Sequence, residues 1–276
     1  MAESRRTPLK RDARRAFACR VAQVTQLTPR MRRLTLEAQE FCDFQTLAAD
    51  EYFGLMIPRS GTLELPSEHP PQISPRALVA LIPEELRPDV RWYTVRQHRP
   101  SVGQVDVDMV LHGEGEVSGP AGRWASRAQR GDIVGFCECK GVYAPEDSVR
   151  TQLLIGDETS LPALAALLES DEPAPTRGRL DSQHVTVHIE VPSDDEIQQI
   201  HTDVPIQWHV RNEARPGSSL LRDLECADLP NTIDYAWVCA EALTVKLVRR
   251  HLVNARGVDK SKILFSGYWR LGEARL

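Results

Sequence analysis

The 276-residue sequence contains no Cys-X-X-Cys pair. Iron–sulfur clusters and structural zinc sites usually draw their ligands from closely spaced sets, so neither is expected. The six cysteines read instead as small buried hydrophobes of a reducing compartment. No apolar run approaches the roughly 20 residues of a membrane span. The basic opening segment MAESRRTPLKRDARRAF lacks the apolar centre of a signal peptide, so residues 1–16 are expected to be a solvated tail or an anion-binding arm. A cytoplasmic protein with no membrane partner is the expectation. A net charge of −5 argues against a nucleic-acid binder, which is usually basic. There is no HExxH, no motif-borne Ser-His-Asp arrangement and no GxGxxG after a strand. Zinc-protease chemistry, triad hydrolysis and a standard dinucleotide fingerprint therefore have no support.

The first half of the chain reads as short strands separated by turns: Phe17–Thr28, MRRLTLE, EYFGLMIP, RWYTVRQ, VDVDMVLH and DIVGFCEC. One helical candidate, Gly119–Gln129, interrupts them, and a loop rich in Pro and Glu runs from Pro58 to about Pro88. That rhythm predicts an antiparallel barrel or sandwich. After about Arg150 strands and helices alternate: QLLIGD, SLPALAALLES, HVTVHIEV, a short helix over DDEIQQIHT, PIQWHV, SSLLRDLECADL, YAWVCA, a helix ending at Gly257, and KILFSGYW. Such alternation predicts a parallel sheet covered on both faces, with ligands beyond the carboxyl ends of its strands. The boundary falls near Ala144–Arg150, and the cleft between two domains is the default site.

RWYTVR, Arg91–Arg96, fits poorly as an ordinary core strand. One face carries Arg91, Tyr93 and Val95 and the other Trp92, Thr94 and Arg96, so neither is cleanly apolar. The pattern alone suits a charged sheet edge. In VDVDMVLH, Val105, Val107, Met109 and Leu111 share an apolar face, with Asp106, Asp108, Val110 and His112 opposite.

Several stretches together resemble one family. RPDVRWYTVR, VDVDMVLHGE, GPAGRWASRAQRGD, GDETSLPALAALLE and WVCAEA…GYWRLGEA follow in order, within a likeness that runs from about Phe17 to Ala274. They resemble the siderophore-interacting proteins of the ferredoxin-reductase-like superfamily. The resemblance implies an FAD-binding antiparallel β-barrel over residues 17–148 and a doubly wound α/β domain over 149–276 that admits an electron donor. It also implies a ferric siderophore as acceptor, NADPH, NADH or ferredoxin as donor, and a cytoplasmic monomer. The implied activity is FAD-dependent reduction that releases iron as Fe(II). A non-catalytic siderophore-binding or iron-release module, or a flavin oxidoreductase with another acceptor, is the alternative.

On that footing each motif acquires a role. Tyr93 offers a stacking face and a hydroxyl. Arg91 clamps a phosphate, Thr94 and the flanking backbone at Trp92 and Val95 meet the ring edge, and Arg96 favours the anionic reduced flavin. Asp108 and His112 are expected beside the cofactor. Gly119 and Ala121 let backbone amides approach a pyrophosphate at a helix start, with Trp124 and Ala125 behind them. Asp157 and Thr159 either contact flavin or cap the following helix. Lys246, Arg249, Arg270 and Arg59 are candidate siderophore contacts. Arg249, Arg250 and Lys246 otherwise form a solvated basic face, and Tyr268 and Trp269 an aromatic lid. Two departures from the family pattern stand out: Gly54 where relatives carry Lys, and Ala240 where they usually carry Gly.

Overall fold

The alternation of β2 (Ala16–Thr28) buries Phe17, Cys19 and Val21 and turns Ala18 and Arg20 outward, as a strand with one core face must. It belongs to the first of two units, which ends at Val142; the second begins at Tyr143. The computed structural model describes residues 9–59, 62–111, 119–146, 148–170, 180 and 183–273. The other strands of the first unit are β1 (Leu9–Lys10), β3 (Met31–Glu37), β4 (Tyr52–Ile57), β5 (Asp89–Thr94), β6 (Gln97–Arg99), β7 (Gln104–Val110) and β8 (Ile133–Gly141). All pair antiparallel in the order β5-β4-β8-β2-β3-β7-β6, with β1 on β8. The two edge strands, β5 and β6, are separated by Val95 and Arg96 alone, so the sheet must curl to bring its edges together. The amide of Arg96 donates to the carbonyl of Asp106 at that seam (2.9 Å).

Five of the six phenylalanines fill the barrel. Phe136 is their hub, stacked on Phe53 (4.2 Å between centroids) and Phe17 (5.3 Å) and met edge-on by Phe41 and Phe44. Among the described residues this unit has two α-helices. The first, α1 (Pro75–Ala80), lies inside the segment the sequence presented as a loop rich in Pro and Glu. Ser74 caps it and Pro75 occupies a first-turn position, where the missing N–H costs nothing. The second, α2 (Pro120–Arg127), packs against β5 and β7.

The second unit holds β9 (Gln152–Asp157), α3 (Leu161–Leu168), β10 (Val185–Val191), β11 (Ile206–Val210), α4 (Ser218–Cys226), β12 (Tyr235–Glu241), α5 (Ala242–Asn254) and β13 (Ile263–Trp269). The strands are parallel in the order β11-β10-β9-β12-β13, which places the topological switch between β9 and β12. Leu153, Ile155, Ala236, Val238 and Ala240 face α4 and α5. The alternate residues of β9 face α3, and Gly156 permits the approach: a Cβ there would meet Leu164 at 2.6 Å. The helix expected over DDEIQQIHT is a single 3-10 turn, Asp194–Glu196. Three consecutive acids favour a helix start, but too few apolar residues follow to bury a longer one.

Candidate functional site

The RWYTVR strand is not a bare charged edge. Val90 and Trp92 pack with Met56, Leu78 and Val79 beneath α1, and Arg76 lies over the Trp92 ring (4.6 Å). Val95 is buried in the barrel core, Tyr93 packs half-buried against it, and Thr94 is buried. The strand therefore serves both layers. Val95 cannot offer its amide to a ligand, since that N–H donates to the Glu51 carbonyl (2.8 Å), and its side chain is core. Trp92 is likewise committed to α1 by its ring.

Arg91 and Tyr93 are different. The Arg91 guanidinium donates to the neighbouring Val90 carbonyl (2.7 Å) and has no carboxylate partner among the described residues. The contrast with Arg11, Arg15, Arg20, Arg33, Arg59 and Arg99, each paired with an acid, is clear. The Tyr93 hydroxyl makes no hydrogen bond among the described residues, while burial pushes its phenol up and keeps it neutral. One strand face thus presents an uncompensated cation beside an aromatic ring with a free polar tip.

Helix α2 packs against β5, the strand that carries Arg91 and Tyr93. Gly119 is its N-cap and supplies no side-chain cap, and a Cβ on Gly119 would find nothing within 4 Å. Among the described residues no side chain caps the backbone amides at that end, the kind of group an anion can meet. Ala121, Trp124 and Ala125 point the other way, into the core, and Arg32 donates to the Ala125 carbonyl at the far end. Their side chains build the helix's seat. His112 lies outside the described residues.

Asp108 departs from expectation. Its side chain is buried and takes a two-pronged fork from Arg33 (2.6 and 2.8 Å), with Arg96 at 3.6 Å on the second oxygen. A carboxylate so occupied anchors Arg33 and Arg96 at the seam. Asp106 repeats the arrangement one pleat away, with Arg99 on both oxygens (2.7 Å each) and Thr35 on one (2.8 Å). Burial alone would raise Asp106; the Arg99 fork and the Thr35 hydroxyl outweigh it and hold it below the usual carboxylate range. Arg33 and Arg99 escape sequence reading because only strand pairing brings the acids partners: β3 on β7 sets Arg33 opposite Asp108 and Thr35 opposite Asp106, and β6 on β7 brings Arg99 to Asp106.

In the second unit Asp157 is a structural hub. Its Oδ1 accepts from the Thr159 amide (2.9 Å) and hydroxyl (2.6 Å), and its Oδ2 from the Glu241 amide and the Trp269 indole (2.8 Å each). Burial and the adjacent Glu158 push it up to about 7, against those four donors. Both oxygens accept from the protein, and the carboxylate ties the ends of β9, β12 and β13 together. Trp269 is held by the same carboxylate and is no free lid. No local motif announces that Glu158 forks to Arg211 (2.5 and 2.8 Å), or that Glu190 and Glu241 turn inward on backbone amides.

The siderophore candidates divide between the units. Arg59, in the first, pairs with Asp89 (2.8 Å), and Arg270, in the second, with Glu273 (3.2 Å). On α5, Lys246 is exposed, while Arg249 lies over the Phe265 ring (4.4 Å). Gly54 has a packing cause: a Cβ there would meet Pro75 of α1 at 2.6 Å, so a lysine has no room. Ala240 is fully buried against α5. Among the described residues no helix is long and apolar enough to cross a membrane.

Comparison with known proteins agrees with this architecture. The family described as siderophore-interacting FAD-binding domain matches residues 20–143, and the siderophore-interacting protein family matches residues 149–272. An uncharacterised protein of Mycobacterium tuberculosis is 37% identical over 69% of this chain and 68% of its own. The ferric vibriobactin reductase of Vibrio cholerae is 28% identical over 87% of this chain and 84% of its own. A siderophore utilization protein from T. fusca superposes with a TM-score of 0.78 at 30% identity, covering 98% of each chain. A ferredoxin NADP+ reductase from Neisseria gonorrhoeae (TM-score 0.58, 12% identity, 92% of this chain and 99% of its own) shares the fold. An antiparallel barrel followed by a five-stranded parallel sheet, with both family patterns in order along it, makes this chain a member of the siderophore-interacting protein family.

Proposed function

We propose that this chain is an FAD-dependent reductase of ferric siderophores, acting in the cytoplasm as a monomer. The observation that carries the reading is Arg91 without an acid partner among the described residues, on the strand face of Tyr93, near a helix start opened by Gly119. A flat cofactor with a diphosphate tail needs those features: an aromatic face with a polar tip, a guanidinium, and uncapped amides. The residues present fit FAD. Arg91 and the α2 amides hold its diphosphate, Tyr93 packs on the ring, and Thr94 borders it.

When bound, FAD supplies two-electron uptake and one-electron release. The chain's part is to orient, to exclude water and to set the local field. Arg96, held at the seam by Asp108, favours reduced, anionic cofactor. Reduction of Fe(III) weakens its hold on hard anionic oxygen donors, and iron leaves the siderophore as Fe(II). Lys246 and Arg249 steer the anionic complex; Arg59 and Arg270, already paired, contribute less. NADPH, NADH or a reduced ferredoxin is the donor class this reading requires.

The test is spectroscopic. Purified protein is expected to be yellow or to take up one FAD, and Arg91→Ala to lose it with the fold intact. A wild-type chain that binds no added FAD sinks the proposal.

A further inference from the structure

The RWYTVR strand ends on two carbonyls. The Val95 amide donates to Glu51 (2.8 Å) and the Arg96 amide to Asp106 (2.9 Å). Asp106 is held by Arg99 and Thr35. Glu51 is held from the basic opening segment. Its side chain, 1% exposed, takes Arg11 on both oxygens (2.9 and 3.0 Å) and the Leu47 amide on one (2.6 Å). The same guanidinium donates to the Gln45 carbonyl and lies over the Phe44 ring (4.9 Å). Leu9 and Lys10 moor this segment by pairing with Gly141 and Lys140 of β8. Arg14 donates to the carbonyls of Gln72 (3.3 Å) and Ile73 (3.1 Å), just before the Ser74 cap of α1, the helix packed on Trp92. Residues 9–15 thus reach both supports of the strand, the Glu51 turn beyond Val95 and the helix at Trp92.

Charge makes the grip necessary. Glu138 on β8 is 2% exposed and lies opposite Phe53, which in turn lies opposite Tyr93. Arg15 pairs with Glu138 (2.9 Å), and Arg11 stands 3.8 Å from it. Burial pushes Glu51 up, Arg11 opposes it, and the charge of Glu138 adds to the push. A buried carboxylate stripped of its cation destabilises its surroundings far more than a neutral group of the same shape.

We infer that Arg11 is a positioning residue for the RWYTVR strand, acting through Glu51: the basic opening segment binds the barrel's own buried acids and fixes the end of the strand that carries Arg91 and Tyr93. The inference rests on the flavin reading only in naming the cofactor that the strand serves.

Two measurements on the full chain test it: the FAD dissociation constant, from quenching of flavin fluorescence, and exchange of the Val95 amide before FAD is added, by NMR. Arg11→Ala is expected to accelerate Val95 exchange and to raise Kd about tenfold, as when about a tenth of the molecules hold the strand end ready. Adding Glu51→Gln to Arg11→Ala is expected to restore both, because glutamine accepts the Leu47 amide and carries no charge to compensate. An Arg11→Ala chain that matches wild type in both readouts overturns the inference, and so does a double variant that binds FAD as weakly as Arg11→Ala. Should Arg11→Ala fail to fold, the double variant decides: wild-type Kd and Val95 exchange sustain the inference, and weakened FAD binding overturns it. A wild-type chain that takes up no FAD sinks the flavin reading, while Val95 exchange still reports on Arg11.

Discussion

Replacing Asp108 with Asn separates two roles for one carboxylate. The side chain is 2% exposed, and those of its partners Arg33 and Arg96 are 24% and 9% exposed. Asn keeps the volume but removes the charge, and its NH2 faces a guanidinium fork. Removing one member of a buried pair costs about 3–5 kcal/mol; with Arg33 partly solvated, the low end applies, about 3 kcal/mol. Hydrogen exchange resolved by peptide is the suitable assay, because it reads the barrel apart from the second unit. A loss of 3 kcal/mol accelerates exchange from β3 and β7 roughly a hundred-fold, while β9–β13 stay unchanged. FAD affinity should fall modestly, through loss of a fixed Arg96. If Asp108 instead faced the cofactor's diphosphate, relief of repulsion would tighten FAD binding and leave exchange untouched. That result would refute the placement of Asp108 as an anchor.

Other consequences follow from the same geometry. Gly54→Lys should destabilise the first unit by about 1–3 kcal/mol, since its side chain must displace Pro75; chemical denaturation measures it, and an unchanged midpoint would show the packing argument wrong. Burial, and then His209, lower His188 to about 4, so it stays neutral when folded. The unfolded chain binds more protons between that value and 6.5, so this contribution to stability is complete above about 6.5 and falls away toward pH 4. Asp157, raised to about 7, acts with opposite sign over nearly the same window, so the wild-type profile hides both. The gap between His188→Leu and wild type should therefore move in the variant's favour by about 3 kcal/mol from pH 6.5 to 4, and a gap independent of pH would contradict it. Phe136→Ala, which empties the hub of the barrel, should cost about 3–5 kcal/mol in urea titrations.

Period and punctuation made the fold legible. The two-residue alternation of the first half and the strand–helix alternation of the second follow from local burial, which a sequence displays. Helix α1 was hidden because six residues between prolines give no period to read, and its role depends on covering Gly54. The site was legible in part. Arg91, Tyr93 and Gly119 stand as their motifs present them: a guanidinium with no acid partner among the described residues, a half-buried ring and a helix N-cap. The partners of Asp108 and Asp157 are not local. An isolated acidic residue in a sequence cannot disclose whether an arginine 75 positions away, or an amide on another strand, will occupy it. The same holds for Glu190 and Glu241, whose partners are backbone groups with no signature in composition.

The most direct test is an anaerobic absorbance titration of FAD-loaded, photoreduced protein with a ferric siderophore. The account predicts that the oxidised flavin spectrum returns with about two ferric ions consumed per flavin, since a hydride equivalent carries two electrons, and that Fe(II) appears in a ferrous-specific chelator. A photoreduced flavin that stays bleached in the presence of excess ferric siderophore would contradict it.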